Sequence, residues 1–179
     1  MDEVVNTKNA ITLATKFGIP KRKILVSIIN ESNYALTNTT MYFNGTSVNP
    51  ASPNIAPFTD PSNARYEATL HGTKGMLCYR IEGTPNFLLI SWKVPLFRHR
   101  KNEFCVHVCP NRPSEEQKEK NIFRKYIHKK YKKFPDESIQ IDYDDFKVSA
   151  TMSSGSSAEM RVHLTTPQKK WFSLPRLPW

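Results

Sequence analysis

Residues 21–32 are Lys-Arg-Lys-Ile-Leu-Val-Ser-Ile-Ile-Asn-Glu-Ser, a basic triplet followed by an apolar run and a polar end. Ile24, Val26 and Ile28 alternate at the two-residue period of a β-strand. Leu25 and Ile29 make the second side apolar too, so we expect a strand that is covered on both faces. The Asn-Glu-Ser end is typical of a turn, because these side chains bond nearby backbone. The stretch therefore predicts a central strand of a β-domain.

The rest of the chain extends this pattern into one domain of 179 residues. Short apolar runs separated by proline-containing loops predict strands near 22–30, 35–43, 64–70, 75–82, 86–92, 102–108, 138–150 and 157–164. A Pro/Asn/Ser-rich loop is expected over 44–63. One helix is expected near the N-terminus, ending at Gly18 and Pro20, and a second over 114–132. The predicted fold is an all-β sandwich flanked by two α-helices, with an N-terminal helix in 1–19, the sandwich in 20–165 and a Pro-rich tail in 166–179.

The charge of the chain is concentrated in one region. The formal net charge is +10, and twelve Lys/Arg against four Glu lie between Arg98 and Lys133. Such a surface favours an anionic partner: lipid headgroups, sulfated glycan or nucleic acid. Tyr126, Tyr131 and Phe134 are interleaved with these cations, as suits a lipid interface. No nucleic-acid-binding signature accompanies them, so we expect no nucleic-acid partner.

Several motifs occur in the same order as in a known family. They span about residues 20–165 and comprise the stretch at 21–32, Tyr42-Phe43-Asn44-Gly45-Thr46-Ser47, 72–79, Val94-Pro95, the five-residue spacing of Tyr126 and Tyr131, and the hairpin from 152 to 164. The set resembles the actinoporins, the pore-forming cytolysins of sea anemones and their relatives. The resemblance implies the same fold, a soluble secreted form that acts at a target membrane, and self-association there.

The resemblance also implies a lipid-headgroup site. Positions that match the family's phosphocholine pocket are Asn44, Lys74, Lys93, Pro95, Tyr126, Lys130 and Tyr131, and the adjoining loop contributes Arg98 and Arg100. The lysines are a departure from the family, and they should repel a choline ammonium. We therefore expect anionic headgroups to be preferred over sphingomyelin or phosphatidylcholine.

Family pores are formed by N-terminal helices that insert into the membrane. The corresponding apolar residues are Val4, Val5, Ile11, Leu13 and Phe17. A helix of about 16 residues spans only about 24 Å, less than the roughly 30 Å hydrocarbon core. The alternative is a non-lytic module on the same fold that binds an anionic lipid or glycan. A third possibility is an interaction scaffold that acts through its C-terminal tail. The first residues also lack the apolar core of a secretory signal peptide.

No catalytic or cofactor motif is present, so an enzyme is not expected. Cys105, His107 and Cys109 alternate along one predicted strand, a spacing that rarely encloses a metal ion. The acidic residues between 136 and 145 lack the spacing of a calcium loop. We therefore expect no metal site and no cofactor.

Overall fold

The computed structural model describes residues 12, 13, 16, 18, 21–110, 123, 132–143 and 145–167. These contain ten strands: β1 (Arg22–Glu31), β2 (Leu36–Asn44), β3 (Thr46–Asn49), β4 (Ser62–Ala68), β5 (Thr73–Ile81), β6 (Phe87–Val94), β7 (Glu103–Cys109), β8 (Ile139–Asp142), β9 (Lys147–Met152) and β10 (Ser157–Thr165).

Two sheets pack face to face. One has six strands in the order β3-β4-β1-β10-β9-β8, and the other has four in the order β2-β5-β6-β7. Strands β1 and β10 pair in parallel, with Ile24 opposite Ala158 and Glu31 opposite Thr165. The inward side chains of both sheets form one apolar core, which confirms the predicted β-sandwich.

Strand β1 owes its place in the core to its alternating side chains. Ile24, Val26 and Ile28 are buried in the sandwich, whereas Leu25 and Ile29 on the other face are only half-buried. The expectation of full cover on both faces was therefore wrong for the described structure. Polar neighbours on this outer face, such as Arg65 and Arg161, are exposed and leave the sheet open to water.

Two segments differ from the predicted strands. The stretch expected as a loop over 44–63 contains β3, which pairs with β4 despite its polar composition. The strand expected over 138–150 is instead β8 and β9, separated by a turn in which Tyr143 N–H donates to the Phe146 carbonyl over 2.8 Å. This turn separates two strands that the apolar periodicity alone predicted as one.

The predicted helices lie almost wholly outside the described residues. Phe123 is helical and buried, and its side chain packs on the outer face of the four-stranded sheet. It joins Met76, Leu89 and Cys105 there, and its ring lies 5.6 Å from that of Tyr42. The flanking helices at 1–19 and 114–132 stay predictions, as does the tail, of which only 166 and 167 are described.

Candidate functional site

Four polar residues line up across one end of the four-stranded sheet. The register sets Asn44 beside Lys74, Lys74 beside Lys93, and Lys93 beside Glu103. Their neighbours along the strands, including Trp92 and Phe104, are buried in the sandwich, so the row faces outward. The structure thus brings together three of the predicted headgroup residues. It adds Glu103, which sequence reasoning missed because its place depends on the β6–β7 register.

The row is largely occupied by contacts within the protein. The Asn44 amide donates to the Gly72 carbonyl over 3.0 Å, and its oxygen accepts the Lys74 N–H at 2.6 Å. The Lys93 ammonium lies 3.4 Å from the Glu103 carboxylate. The described contacts make Asn44 a link between strands and give Lys93 a counter-charge. Lys74 forms no ion pair with any residue that the structure describes.

Beside this row lies a cleft of about 850 Å³. Arg22 and residues from three loops line it: 95 and 97–102 between β6 and β7, 135–136 before β8, and 153–156 between β9 and β10. The strand ends place these segments together, because β6 ends, β7 begins, β9 ends and β1 begins at the same end of the sandwich. We call this end of the molecule the basic end.

The chemistry of the cleft is cationic. Arg98, Arg100 and Lys101 are exposed on the loop between β6 and β7, and the carboxylate of Asp136 faces Lys101 at 3.8 Å. In the described chain, Arg98 and Arg100 have no ion-pair partner. The predicted site residues Pro95, Arg98 and Arg100 therefore meet in this cleft.

Two buried polar side chains hold the cleft walls. Arg22 is only 4% exposed, and its Nε donates to the Leu96 carbonyl over 2.9 Å. The Asn102 amide donates to the carbonyls of Ser153 and Gly155 over 3.1 and 3.0 Å. Sequence reasoning gave neither residue a role at the site. The basic triplet pointed to Arg22 without showing that its side chain turns toward the 95–102 loop.

A lysine pair connects the cleft wall to the polar row. The ammonium groups of Lys101 and Lys132 lie 5.7 and 5.6 Å from the centre of the Phe134 ring, within cation–π range. Lys132 also lies 3.9 Å from the Glu103 carboxylate. Phe134, predicted as an aromatic among cations, thus sits between two of them.

Apolar side chains are exposed at the same end. Phe97 is 59% exposed at the tip of the β6–β7 loop, and its ring stacks on that of His99 with centres 5.7 Å apart. Leu70 is exposed in the adjoining β4–β5 turn. A Cβ at Gly72 would overlap the Val94 carbonyl and Pro95, which shows that this turn packs closely against the start of the β6–β7 loop.

Other predicted residues lie outside the described chain. These are Tyr126, Lys130 and Tyr131 of the headgroup site, and Val4, Val5, Ile11 and Phe17 of the pore-forming set. Leu13 is described and is 53% exposed. Within the described segments, no helix is long and apolar enough to cross a bilayer.

The cysteines are buried in the fold. Cys78, Cys105 and Cys109 form no disulfide, and each is at most 4% exposed. Burial raises the pKa of the Cys105 thiol to about 12, which makes it unreactive at neutral pH. Among the described residues no group of His, Cys, Asp or Glu side chains is arranged to hold a metal ion.

Comparison with known proteins bears on the fold. No protein-family model matches the chain, and no curated protein matches it in sequence. The crystal structure of the lipid binding protein Nakanori is similar over 91% of this chain and 80% of its own, with 13% identity and a TM-score of 0.65. The lectin XCL of Xerocomus chrysenteron aligns over 82% of this chain and all of its own, with 11% identity and a TM-score of 0.48, too low to bear on fold or function. The likeness to Nakanori supports the actinoporin-like sandwich that the sequence predicted.

Proposed function

We propose that this protein binds membranes by placing its basic end against anionic lipid headgroups. The observation that carries the proposal is the cleft, where Arg22, Arg98, Arg100 and Lys101 face a single described carboxylate, that of Asp136. The likeness to a lipid binding protein supports this use of the fold. The role is binding, without catalysis.

The charge arrangement favours anionic over zwitterionic headgroups. Each Lys or Arg near an anionic surface contributes about 1 kcal/mol of attraction. A choline headgroup needs aromatic faces, and Phe97 is the one aromatic side chain in the described lining apart from the His99 ring. Since Glu103 pairs with Lys93 and Asp136 faces Lys101, selectivity depends chiefly on the loop arginines Arg98 and Arg100.

Exposed apolar groups at the same end fit an interfacial mode of attachment. Phe97 and Leu70 can enter the headgroup region while the neighbouring cations pair with phosphate. Protein secreted in soluble form would then dock end-on. The described strands would stay as they are, since none of this requires the sandwich to open.

Pore formation is a second step of the proposal. After docking, copies of the protein associate on the membrane and residues 1–19 insert. The alternative is that the protein stops at recognition and acts as a non-lytic module for anionic lipid or glycan.

Vesicle co-sedimentation tests the binding step. We expect the protein to sediment with vesicles of phosphatidylcholine and phosphatidylserine at 80:20, and to stay in solution with phosphatidylcholine alone. Arg98→Gln/Arg100→Gln should weaken binding roughly 10- to 30-fold, the effect of two lost cations. The matched control, Arg65→Gln/Arg161→Gln, removes two exposed guanidiniums from the outer face of the six-stranded sheet and should retain affinity. Equal binding to both vesicles at physiological salt would refute the proposal.

Dye release from the same vesicles tests the second step. The full chain should release dye, and Val5→Asp/Ile11→Asp should bind normally without release, because charged side chains are expensive in hydrocarbon. Binding by the unmodified protein without release would assign it to the non-lytic alternative.

A further inference from the structure

We infer that the cleft binds one phosphomonoester group carried on a ring of sugar or inositol size, with the Arg22 guanidinium as its floor. The inference deepens the proposed function and rests on it for a membrane source of the ligand. The same group occurs in lipid headgroups and in soluble phosphorylated polyols, so the two sources are separated by experiment.

Arg22 is a buried cation without a counter-charge among the described residues. Its side chain is more than nine-tenths buried, yet it forms no ion pair with any described residue. Nε and Nη2 both donate to one acceptor, the Leu96 carbonyl. A guanidinium has five N–H donors, and the contacts with described residues use two of them. A buried charge without a counter-charge is costly, and an anion in the cleft would supply one.

The turn at 153–156 forms the cleft wall opposite the 95–102 loop. The Asn102 side-chain amide donates to the carbonyls of Ser153 and Gly155, and the Lys23 N–H donates to the Ser156 carbonyl. The carbonyls of Ser153, Gly155 and Ser156 are thus used inside the protein. The hydroxyls of Ser154 and Ser156 lie in the lining and make no hydrogen bond within the described chain. Hydroxyl donors beside a guanidinium suit the several oxygens of a phosphomonoester.

The volume of the cleft fits a ligand larger than phosphate alone. A volume of about 850 Å³ is far larger than a phosphate ion and lies within the range of ordinary ligand pockets. With the phosphate at Arg22, the remaining space can hold a polyol ring. Arg98, Arg100 and Lys101 at the rim can then contact further anionic groups on the ring or in the surrounding surface. Asp136 opposes any anion there, because its carboxylate is part of the same lining.

Calorimetric titration of the full chain with inositol 1,4-bisphosphate, at ionic strength fixed with chloride, tests the site directly. We expect saturable one-to-one binding. Asp136→Asn should tighten it about threefold by removing an exposed like charge. Asp142→Asn, an exposed carboxylate at the opposite end, is the matched control and should change nothing. Asp136 is exposed, so its substitution tests the site without disturbing the fold.

Arg22→Lys tests the floor of the cleft. A lysine keeps the charge but lacks the planar fork with which the guanidinium donates to Leu96 and can present further N–H groups to a ligand, so binding should weaken at least about tenfold. Circular dichroism and the melting temperature show whether the variant is folded. Absence of saturable binding, or an Asp136→Asn variant that binds as the unmodified protein does, would overturn the inference.

Vesicles of matched charge separate the inference from the proposed function. One set carries phosphatidylinositol 4-phosphate, and the other carries phosphatidylserine at equal total charge. Preference for the first, lost in Arg22→Lys, supports both. Soluble binding without sedimentation supports the cleft and refutes the membrane role. Equal sedimentation with both sets and no soluble binding refutes the cleft and leaves the membrane role intact.

Discussion

At the end of the sandwich where β1 finishes, polar side chains bond to the protein itself. Asn30 is fully buried, and its amide donates to the Tyr34, Ile55 and Ala56 carbonyls at 2.8, 3.3 and 3.2 Å. Its side-chain oxygen accepts from the Ser32 hydroxyl at 2.7 Å. At the end where β1 begins, the buried guanidinium of Arg22 contacts a single carbonyl and no carboxylate among the described residues.

The exposed charges differ in the same way. At the end where β1 finishes, which we call the closed end, Glu31 lies 2.8 Å from His163, and Asp142 lies 3.1 Å from Lys147. At the basic end Lys101 lies 3.8 Å from Asp136, but Arg98 and Arg100 have no described partner. Exposed pairs contribute little stability, so this contrast concerns binding more than folding. One end closes the sandwich, and the other leaves its charge available for a partner.

The largest expected effect is on stability at the closed end. Asn30→Ala would remove the bonds that the Asn30 amide donates to the Tyr34, Ile55 and Ala56 carbonyls and the side-chain oxygen that accepts from the Ser32 hydroxyl, at a cost of about 2–3 kcal/mol. The melting temperature should fall by roughly 5–10 °C. Binding of the folded protein to anionic vesicles should not change, because the cleft lies at the other end.

The matched control is Asn33→Ala, which truncates an exposed asparagine of the same turn. Calorimetric or dichroism melts of both variants provide the measurement. If the two substitutions lowered the melting temperature equally, the buried hydrogen bonds of Asn30 would not account for the stability of this end. If Asn30→Ala weakened vesicle binding as strongly as loss of Arg98 and Arg100, the separation between the ends would be wrong.

A smaller effect is expected from an apolar side chain at the basic end. Phe97→Ala should weaken binding to anionic vesicles about fivefold, equivalent to about 1 kcal/mol, because the ring no longer enters the interface. Phe58→Ala is the control: Phe58 is 65% exposed, lies at the closed end beside Asn30, and should be dispensable for binding. Equal losses in the two variants would argue against end-on docking.

Alternating apolar residues made the strands predictable. The inward set of β1 follows directly from the spacing of Ile24, Val26 and Ile28. The resemblance to actinoporins assigned Asn44, Lys74 and Lys93 to one headgroup site, and the strand register sets these three residues side by side. Their use as ligands stays a prediction. The sequence could not show that Asn44 is engaged by the backbone, since that bond depends on where the 69–72 turn packs.

The cleft was the least predictable feature. It joins Arg22, the 95–102 loop and the 153–156 turn, segments that are distant in sequence and meet because β1 pairs in parallel with β10. A parallel pairing leaves no local signature comparable with a hairpin turn. The roles of Glu103 and Asn102 were also not predicted, because each depends on a partner that is distant in sequence or lies on a neighbouring strand.

The smallest expected effect is the dependence of stability on pH through His107, on the β7 strand that runs between the two ends. Burial lowers the pKa of this imidazole below its ordinary value, because the charged form loses hydration. As pH falls below the ordinary histidine pKa of about 6.5, the unfolded chain takes up a proton that the folded protein takes up only at lower pH. The stabilisation is therefore complete above that value and is lost on acidification.

His107→Gln should flatten the dependence of the free energy of unfolding on pH between pH 7.5 and 5, measured by denaturant titration at each pH. An unchanged slope would mean that the folded and unfolded states protonate His107 alike.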